Sequence, residues 1–290
     1  MSDCRPRLIS VNPLKLLLWT FRRSPGDVVD LYNTLSPVMQ LATGGSMLNF
    51  GYWAGATSPL EAQAKLCDLA GEAAELESAS RLVDAGSGLG APVFHWMARY
   101  SSLESTCLNI NRQQLAKSIT AETEGRRPAK VNATSVMLPL SSHSVDRIIA
   151  LESAQHFRPL ASFVSECKRV LSPGGILVLA IPVTTRPLAG LGKLRKLGIL
   201  SLTWSSEHYS SAQVSSALES RGFRIANVQR IGHEVYEPLT EYYLRNRDSI
   251  RRKILEQYPS FVEAILHRSL LKMADASKAG LIDYLVLKAI

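Results

Sequence analysis

The sequence predicts an α/β fold in which a largely parallel sheet is covered by helices on both faces. From residue 81 onward, short apolar runs alternate with helical stretches of about ten residues, the pattern of parallel strands joined by crossover helices. A glycine-rich turn follows the first apolar run, and a helix stop at 172–175 precedes the fifth. The composition, 46% hydrophobic and 20% charged, is that of a globular protein.

The chain of 290 residues is long enough to bury a sizeable core. We predict an N-terminal arm with lid helices over residues 1–58 and a main domain over 59–290. The net charge of +8 would suit nucleic acid, but the basic residues are scattered, which favours ordinary solvent-facing helices and no nucleic-acid partner. An apolar run at 14–21 is too short to span a bilayer, so peripheral membrane contact stays open without being favoured.

Four cysteines are spread widely along the chain and form no C-x-x-C pair or Cys/His cluster. Neither a metal site nor a disulfide framework is therefore expected. Free thiols fit a reducing compartment, and we expect a cytoplasmic protein. Cys107 and Cys167 lie in apolar patterns that are typical of core residues.

The N-terminal part of the chain predicts helices followed by an aromatic segment. Residues 27–39 show helical spacing of apolar side chains, which we expect to be interrupted near Pro37. An aromatic segment follows at 47–53, and a helix over 59–76 leads into the first strand.

Seven strands and four connecting helices follow from the hydrophobic periodicity. The strands are expected over 81–85, 104–110, 129–132, 146–152, 174–182, 223–230 and 281–288, and the helices over 91–100, 112–123, 159–171 and 211–221. Two further segments, 184–209 and 233–278, follow the carboxyl ends of strands, where open α/β sheets bind ligands. They form either helical caps over a substrate pocket or an extra packing layer or dimer surface. A dimer surface would allow a homo-oligomer.

The first strand ends in Asp84, and Gly86, Ser87 and Gly88 follow in a G-x-G-x-G turn before a helix. Glycine allows the chain to turn sharply and a ligand to lie against backbone N–H groups at a helix N-terminus. An acidic residue two positions before the first glycine suits S-adenosylmethionine (SAM), whose methionine end carries an ammonium and a sulfonium. The turn therefore predicts a SAM site.

Several elements in order resemble the class I SAM-dependent methyltransferases, in particular the small-molecule branch of sterol, tocopherol and natural-product enzymes. The elements are V-D-A-G-S-G-L-G at 83–90, the segments 109–115 and 132–139, the strand at 145–153, and the turn at 169–175. The resemblance implies a Rossmann-like, seven-stranded sheet whose last strand, at 280–290, is antiparallel.

The resemblance also implies further cofactor residues. Asn109, Ile110 and Gln114 take the positions beside the cofactor ribose, with amides where many members carry an acid; an amide can both donate to and accept from a hydroxyl. Asn132 and Ala133 take the positions next to the adenine, where the amide oxygen of Asn132 could accept a hydrogen bond from the base.

A lid over the cofactor is implied as well. Tyr32 and the segment 49–53, which contains Tyr52 and Trp53, resemble the H-x-G-Y-W element that closes over the methionine part in this branch. The alternative is a hydrophobic patch that attaches the N-terminal helix to the domain.

His156 matches the general base of related O-methyltransferases, and a histidine base suits neutral pH. Glu152 could orient His156, touch the cofactor, or stabilise a developing cation. We therefore expect O-methylation of a partly hydrophobic small molecule with His156 as base. One alternative is C-methylation of a prenyl or terpenoid acceptor, including its diphosphate, or of a lipid or quinone, with Glu152 stabilising the cation. Another is a binding subunit that keeps the fold without the reaction.

Overall fold

A computed structural model describes residues 24–118, 125–186 and 207–290, together with Ile9, Val11, Leu197, Gly198 and Leu200. The apolar run at 14–21 and most of the expected cap at 184–209 lie outside the described residues.

The described residues form one seven-stranded sheet with the order β3-β2-β1-β4-β5-β7-β6. The strands are β1 (Arg81–Ala85), β2 (Glu104–Asn109), β3 (Ala129–Asn132), β4 (Val145–Leu151), β5 (Leu171–Thr184), β6 (Ile225–Arg230) and β7 (Ile282–Ala289). Pairs among β1 to β5 are parallel, whereas β7 is antiparallel to both of its neighbours, β5 and β6. The predicted fold class, with an antiparallel last strand, is confirmed.

Eight α-helices surround this sheet in the described part of the chain. They are α1 (Pro25–Thr43), α2 (Pro59–Ala73), α3 (Ala91–Arg99), α4 (Arg112–Lys117), α5 (Leu160–Val170), α6 (Ser211–Glu219), α7 (Gly232–Leu255) and α8 (Ser260–Lys278). Short 3-10 turns at Leu76–Ser78 and Ala154–His156 precede β1 and follow β4.

The two faces of the sheet have separate apolar layers, as expected for a sheet covered on both sides. One layer contains buried side chains of α2, α3, α7 and α8, among them the fully buried Trp96, whose indole N–H donates to the carbonyl of Cys67 at 2.8 Å. The other layer contains side chains of α5 and α6, including Phe163. Cys107 and Cys167 are buried core residues, as predicted.

The predicted interruption near Pro37 is wrong, because α1 continues through Pro37 to Thr43. The helix begins with a reciprocal cap between Ser24 and Asp27 and ends at Gly44, which has a φ of +81°. A proline removes one backbone hydrogen bond. The helix continues because Val38, one residue later, is buried in the core.

Two predicted boundaries also differ from the structure. Helix α4 ends at Lys117, well short of the predicted residue 123, and residues 119–124 lie outside the described part. Strand β5 begins at Leu171, directly after α5, because Leu171 already pairs with Val145; the turn at 172–175 forms an irregularity inside the strand.

The segment 233–278 forms helices α7 and α8, which pack against each other. The buried Glu263 carboxylate joins them: it accepts from the hydroxyl of Tyr243 at 2.7 Å and from Nε of Arg247 at 2.8 Å. Further along, the Thr240 hydroxyl donates to the carbonyl of Leu270. No helix in the described ranges has the length and apolar character needed to cross a membrane.

Candidate active site

A cavity of about 450 Å³ lies at the carboxyl ends of β1, β2 and β4, and its volume is in the range of small-molecule sites. Most of the predicted cofactor residues line it. These are Tyr32, Asp84, Gly86, Ser87, Gly88, Asn109, Ile110, Gln114, Ala133, Glu152 and His156.

The glycine turn brings the backbone close to the end of β4. Gly86 has a φ of +86°, and a Cβ at this position would overlap the Cβ of Ser153. The Ser153 hydroxyl in turn donates to the carbonyl of Ala85, and the Gly86 N–H donates to Leu108. A residue with a side chain would therefore separate β1 from β4 at the cavity wall.

Three buried oxygen atoms of residues that line the cavity have no hydrogen-bond partner among the described residues: Oδ2 of Asp84, Oδ1 of Asn49 and Oγ of Ser87. Asp84 is 1% exposed, and this burial raises the pKa of its carboxyl to about 7. Asn49 lies in the predicted lid segment, but we did not predict it as a cofactor residue. Its side-chain nitrogen donates to the thiol of Cys67, which leaves the oxygen available.

The amides of Asn109 and Gln114 are already bonded within the protein. The nitrogen of Asn109 donates to the carbonyl of Gly88 at 3.1 Å and to Oε1 of Gln114 at 3.0 Å, while the nitrogen of Gln114 donates to Ser36. Oδ1 of Asn109 accepts from the N–H of Asn111. Each amide oxygen keeps a second lone pair, so these side chains can still accept hydrogen bonds from a ligand.

Asn111 also lines the cavity, and sequence reasoning missed it. Its oxygen accepts from the N–H groups of Gln113 and Gln114 and thereby caps α4, and its nitrogen donates to Asn33 on α1 at 2.9 Å. An asparagine directly before a predicted helix is a capping signal that could have identified it.

Three predicted cofactor residues do not line this cavity. The side chain of Asn132 donates to the carbonyls of Asn109 and Ile110, so it joins β3 to β2. The N–H of Tyr52 donates to Ala62 on α2. The ring of Trp53 is buried beside Tyr242 on α7, with its indole N–H bonded to Phe50.

The hydroxyl of Tyr32 lies 2.9 Å from Nε2 of His156, and the two rings meet edge to face. Helix α1 positions Tyr32, and the 3-10 turn after β4 positions His156. Burial, together with the charge of Glu152, raises the pKa of Tyr32 well above its ordinary value. The phenol is therefore neutral at physiological pH. Its O–H can donate a hydrogen bond to the imidazole while its oxygen accepts a hydrogen bond from a second group.

Glu152 directly precedes this turn and has a φ of +49°, a left-handed conformation that is uncommon for glutamate. Its Oε1 accepts from the N–H of Phe50 at 2.9 Å and from the hydroxyl of Tyr284 at 3.1 Å. Loss of surrounding water raises the pKa of this carboxyl to about 8, although both hydrogen bonds act in the opposite direction. The lid segment is thus attached directly to the end of β4.

A second cavity of about 210 Å³ lies between α1 and α8, and most of its wall is apolar. Phe50, Leu266 and Met273 are among its lining residues. The two cavities share the following four residues: Tyr32, Leu48, Glu152 and His156. The Tyr32–His156 pair thus lies where a ligand in one cavity would meet a ligand in the other.

Comparison with known proteins agrees with this architecture. Residues 83–179 match the methyltransferase domain family. The chain is 27% identical over 264 residues to the erythromycin 3''-O-methyltransferase of Saccharopolyspora erythraea, with 86% of each protein covered. The structure is similar to that of the cyclase SpnF, with a TM-score of 0.75 at 22% identity over 92% of this chain and 96% of the other. It is also similar to the mycolic acid cyclopropane synthase CmaA1 complexed with SAH and CTAB, with a TM-score of 0.74 at 20% identity over 90% and 95%.

The sheet, the glycine turn and these matches define an enzyme that transfers a methyl group from SAM. The chain is a SAM-dependent methyltransferase, and it is similar in sequence to small-molecule methyltransferases. SAM is therefore its cofactor, as predicted, and its acceptor is a small molecule.

The residues of the first cavity fit SAM. Asp84 and Asn49 provide two buried acceptor oxygens without partners among the described residues, and an ammonium group needs such acceptors. The glycine turn leaves space for a ligand, since a Cβ at Gly88 would meet no described atom closer than 3.7 Å. The described residues contain no group of three or more His, Cys, Asp or Glu side chains that could hold a metal ion.

Proposed function

We propose that this enzyme methylates a hydroxyl oxygen of a partly hydrophobic small molecule, with His156 as general base. One observation carries the proposal: the hydrogen-bonded pair of Tyr32 and His156 lies in the wall shared by the polar and the apolar cavity. At that junction, Tyr32 would contact an acceptor hydroxyl next to the cofactor and would connect this hydroxyl to the base, His156.

The first cavity would hold SAM, which supplies a methyl group on a positively charged sulfur. Asp84 and Asn49 would accept from the ammonium, and the amide oxygens of Asn109 and Gln114 would accept from the ribose hydroxyls. The ionised form of Asp84 is the one that binds a cation, so cofactor binding would favour loss of its proton.

The second cavity would hold the apolar body of the acceptor. Its wall of α1 and α8 side chains would exclude water and position the reacting oxygen. Leu48 and Glu152, which line both cavities, would flank the path between the cofactor and the acceptor.

Tyr32 and His156 would move the acceptor proton as a unit. As the acceptor oxygen gains the methyl group, the bond from that methyl group to the sulfur of SAM would break and S-adenosylhomocysteine would be left; the acceptor hydroxyl would pass its proton to the phenol oxygen of Tyr32, and the Tyr32 proton would pass to Nε2 of His156. Since the raised pKa keeps Tyr32 neutral, it can take part as donor and acceptor at once.

A second candidate is C-methylation, in which Glu152 would stabilise a carbocation on the acceptor. The observation that favours it is the position of this carboxyl in the wall of both cavities. Its raised pKa argues against it, because a neutral carboxyl at physiological pH stabilises a cation poorly.

The test is acceptor-dependent release of S-adenosylhomocysteine with hydrophobic natural products that carry free hydroxyl groups, including erythromycin with a free 3''-hydroxyl. The matched control for each acceptor is the same molecule with that hydroxyl already methylated. We expect turnover of the hydroxyl form alone. Equal turnover of both forms would contradict O-methylation, and SAM binding without any turnover would favour the binding-subunit alternative.

A further inference from the structure

Among the described residues that line the second cavity, Gln155 has a buried side-chain oxygen, Oε1, that takes part in no hydrogen bond with another described residue. This residue is 6% exposed. A buried carbonyl oxygen without a partner is unfavourable, and such an atom in a cavity wall marks a position where a ligand can supply the missing donor.

The other hydrogen-bonding side chains of this cavity already have partners. Tyr32 and His156 bond to each other, and Glu152 accepts from two protein donors. The hydroxyls of Thr34 and Ser269 donate to helix carbonyls one turn earlier, at 2.9 and 2.7 Å.

The orientation of the Gln155 amide follows from its own contacts. Its nitrogen lies 2.7 Å from the main-chain carbonyl oxygen of Glu152. The flipped amide would place two oxygens at that distance, so the nitrogen must face Glu152. The carbonyl of Gln155 also accepts from the N–H of Glu207 at 2.9 Å, which holds the residue from its main chain as well.

We propose that Gln155 recognises the acceptor by accepting a hydrogen bond from a second hydroxyl or N–H group, close to the hydroxyl that is methylated. This inference rests on the proposed function for the position of the acceptor in the second cavity. Gln155 directly precedes His156 in the same 3-10 turn, so the two polar groups of the acceptor would lie near each other on an otherwise apolar molecule. The substrate class is then a hydrophobic diol or amino alcohol rather than a hydrocarbon or a simple monoalcohol.

Binding of two probes, 1,2-octanediol and 1-octanol, tests the proposal without any methyl transfer. Ligand-observed NMR titrations would give the two dissociation constants with S-adenosylhomocysteine present in the first cavity. The quantity to compare is the ratio of the two constants in each protein, because differences in probe hydration cancel between wild type and variant. The variant is Gln155→Met, which keeps the length of the side chain and removes the acceptor.

We expect the preference for the diol to fall about tenfold in Gln155→Met. It should stay unchanged in the control variant Gln229→Met, which makes the same chemical change on β6, at a residue that lines neither cavity. An unchanged preference in Gln155→Met, an equal fall in the control, or no binding of either probe to the wild type would overturn the proposal. Unchanged affinity for S-adenosylhomocysteine shows that the variant is folded; if Gln155→Met does not fold, Gln155→Leu replaces it with the same expected ratio. Failure of the proposed function would show itself separately, as absence of hydroxyl methylation in the turnover assay.

Discussion

The Tyr32 hydroxyl and Nε2 of His156 lie within hydrogen-bonding distance, at 2.9 Å, although 124 positions separate the two residues in the chain. The contact joins the N-terminal helix α1 to the turn after β4. It thereby fixes both side chains at the boundary between the two cavities. A pair held in this way can act as one proton-transfer unit.

The first prediction concerns this unit. Tyr32→Phe and His156→Ala should each lower kcat for O-methylation by about 10²- to 10³-fold with little effect on the dissociation constant of SAM, because each removes a link in the same proton path. The double variant should be no slower than the slower single variant, since residues that act as a unit are non-additive. Single-turnover kinetics with all four proteins measures this. Multiplicative losses would show that the residues act independently.

The second prediction concerns the charge of Asp84. Its pKa of about 7 means that the unliganded site is partly protonated at neutral pH, whereas a cation favours the carboxylate. The dissociation constant of SAM should therefore fall as pH rises through about 7 and then level off. Asp84→Asn should bind SAM about 10- to 100-fold more weakly, with that pH dependence removed. Isothermal titration calorimetry from pH 5.5 to 8.5 measures both quantities.

The charge of Asp84 should also affect the stability of the protein without cofactor: a rise in pH should strengthen SAM binding but lower this stability. Because the folded pKa is raised above the ordinary value of about 4, the native state binds a proton that the unfolded chain has lost, and stability falls as pH rises from about 4 to 7. Without cofactor, Asp84→Asn should therefore melt at a higher temperature than the wild type at pH 8. Thermal unfolding checks this, and a lower melting temperature of the variant would contradict the assignment.

The third prediction separates the two candidate roles of Glu152. Glutamine can still accept from the Phe50 N–H and the Tyr284 hydroxyl, so Glu152→Gln should keep the local structure. If the reaction is O-methylation, kcat should stay within about threefold of wild type. A loss of 100-fold or more, on the order of that expected for a removed electrostatic stabiliser, would instead support the carbocation role. Steady-state kinetics on one acceptor decides between them.

The fourth prediction concerns the contact of the glycine turn with β4. Gly86→Ala should lower the free energy of unfolding by about 2 to 5 kcal/mol, because the new methyl group overlaps Ser153 and the backbone is left-handed. In a protein that also carries Ser153→Gly, Gly86→Ala should cost less stability, because the steric overlap is gone. The cost of the left-handed backbone conformation should remain. Denaturant unfolding of the single and double variants measures this. If Gly86→Ala costs as much stability in the Ser153→Gly protein as in the wild type, the overlap is not the cause.

The sequence was sufficient for the fold and for the glycine turn because both depend on local patterns. Alternation of apolar runs and helices identifies a parallel sheet. Asp84 and Gly86 form a short local pattern at the end of the first strand, where open α/β sheets bind ligands. The continuation of α1 through Pro37 was not predictable in this way. It depends on packing of Val38 in the core, a contact between segments far apart in sequence.

The candidate site was predictable only in part, for a related reason. The resemblance to the methyltransferases implied a lid that contains Tyr52 and Trp53, but the structure directs both residues toward contacts with α2 and α7, outside the cavity wall. Sequence patterns likewise gave no reason to connect Tyr32 to His156 or Asn49 to Asp84. Such relationships appear only once the chain is folded.

The most direct test of the central claim is the position of the transferred methyl group. The enzyme would be incubated with SAM labelled with carbon-13 at its methyl group and with an acceptor that supports turnover, and the product would be analysed by NMR. We predict that the label is bonded to an oxygen of the acceptor and that His156→Ala forms this product at least 100-fold more slowly, on the order expected for a lost general base. A label bonded to carbon, or an undiminished rate in His156→Ala, would contradict the account.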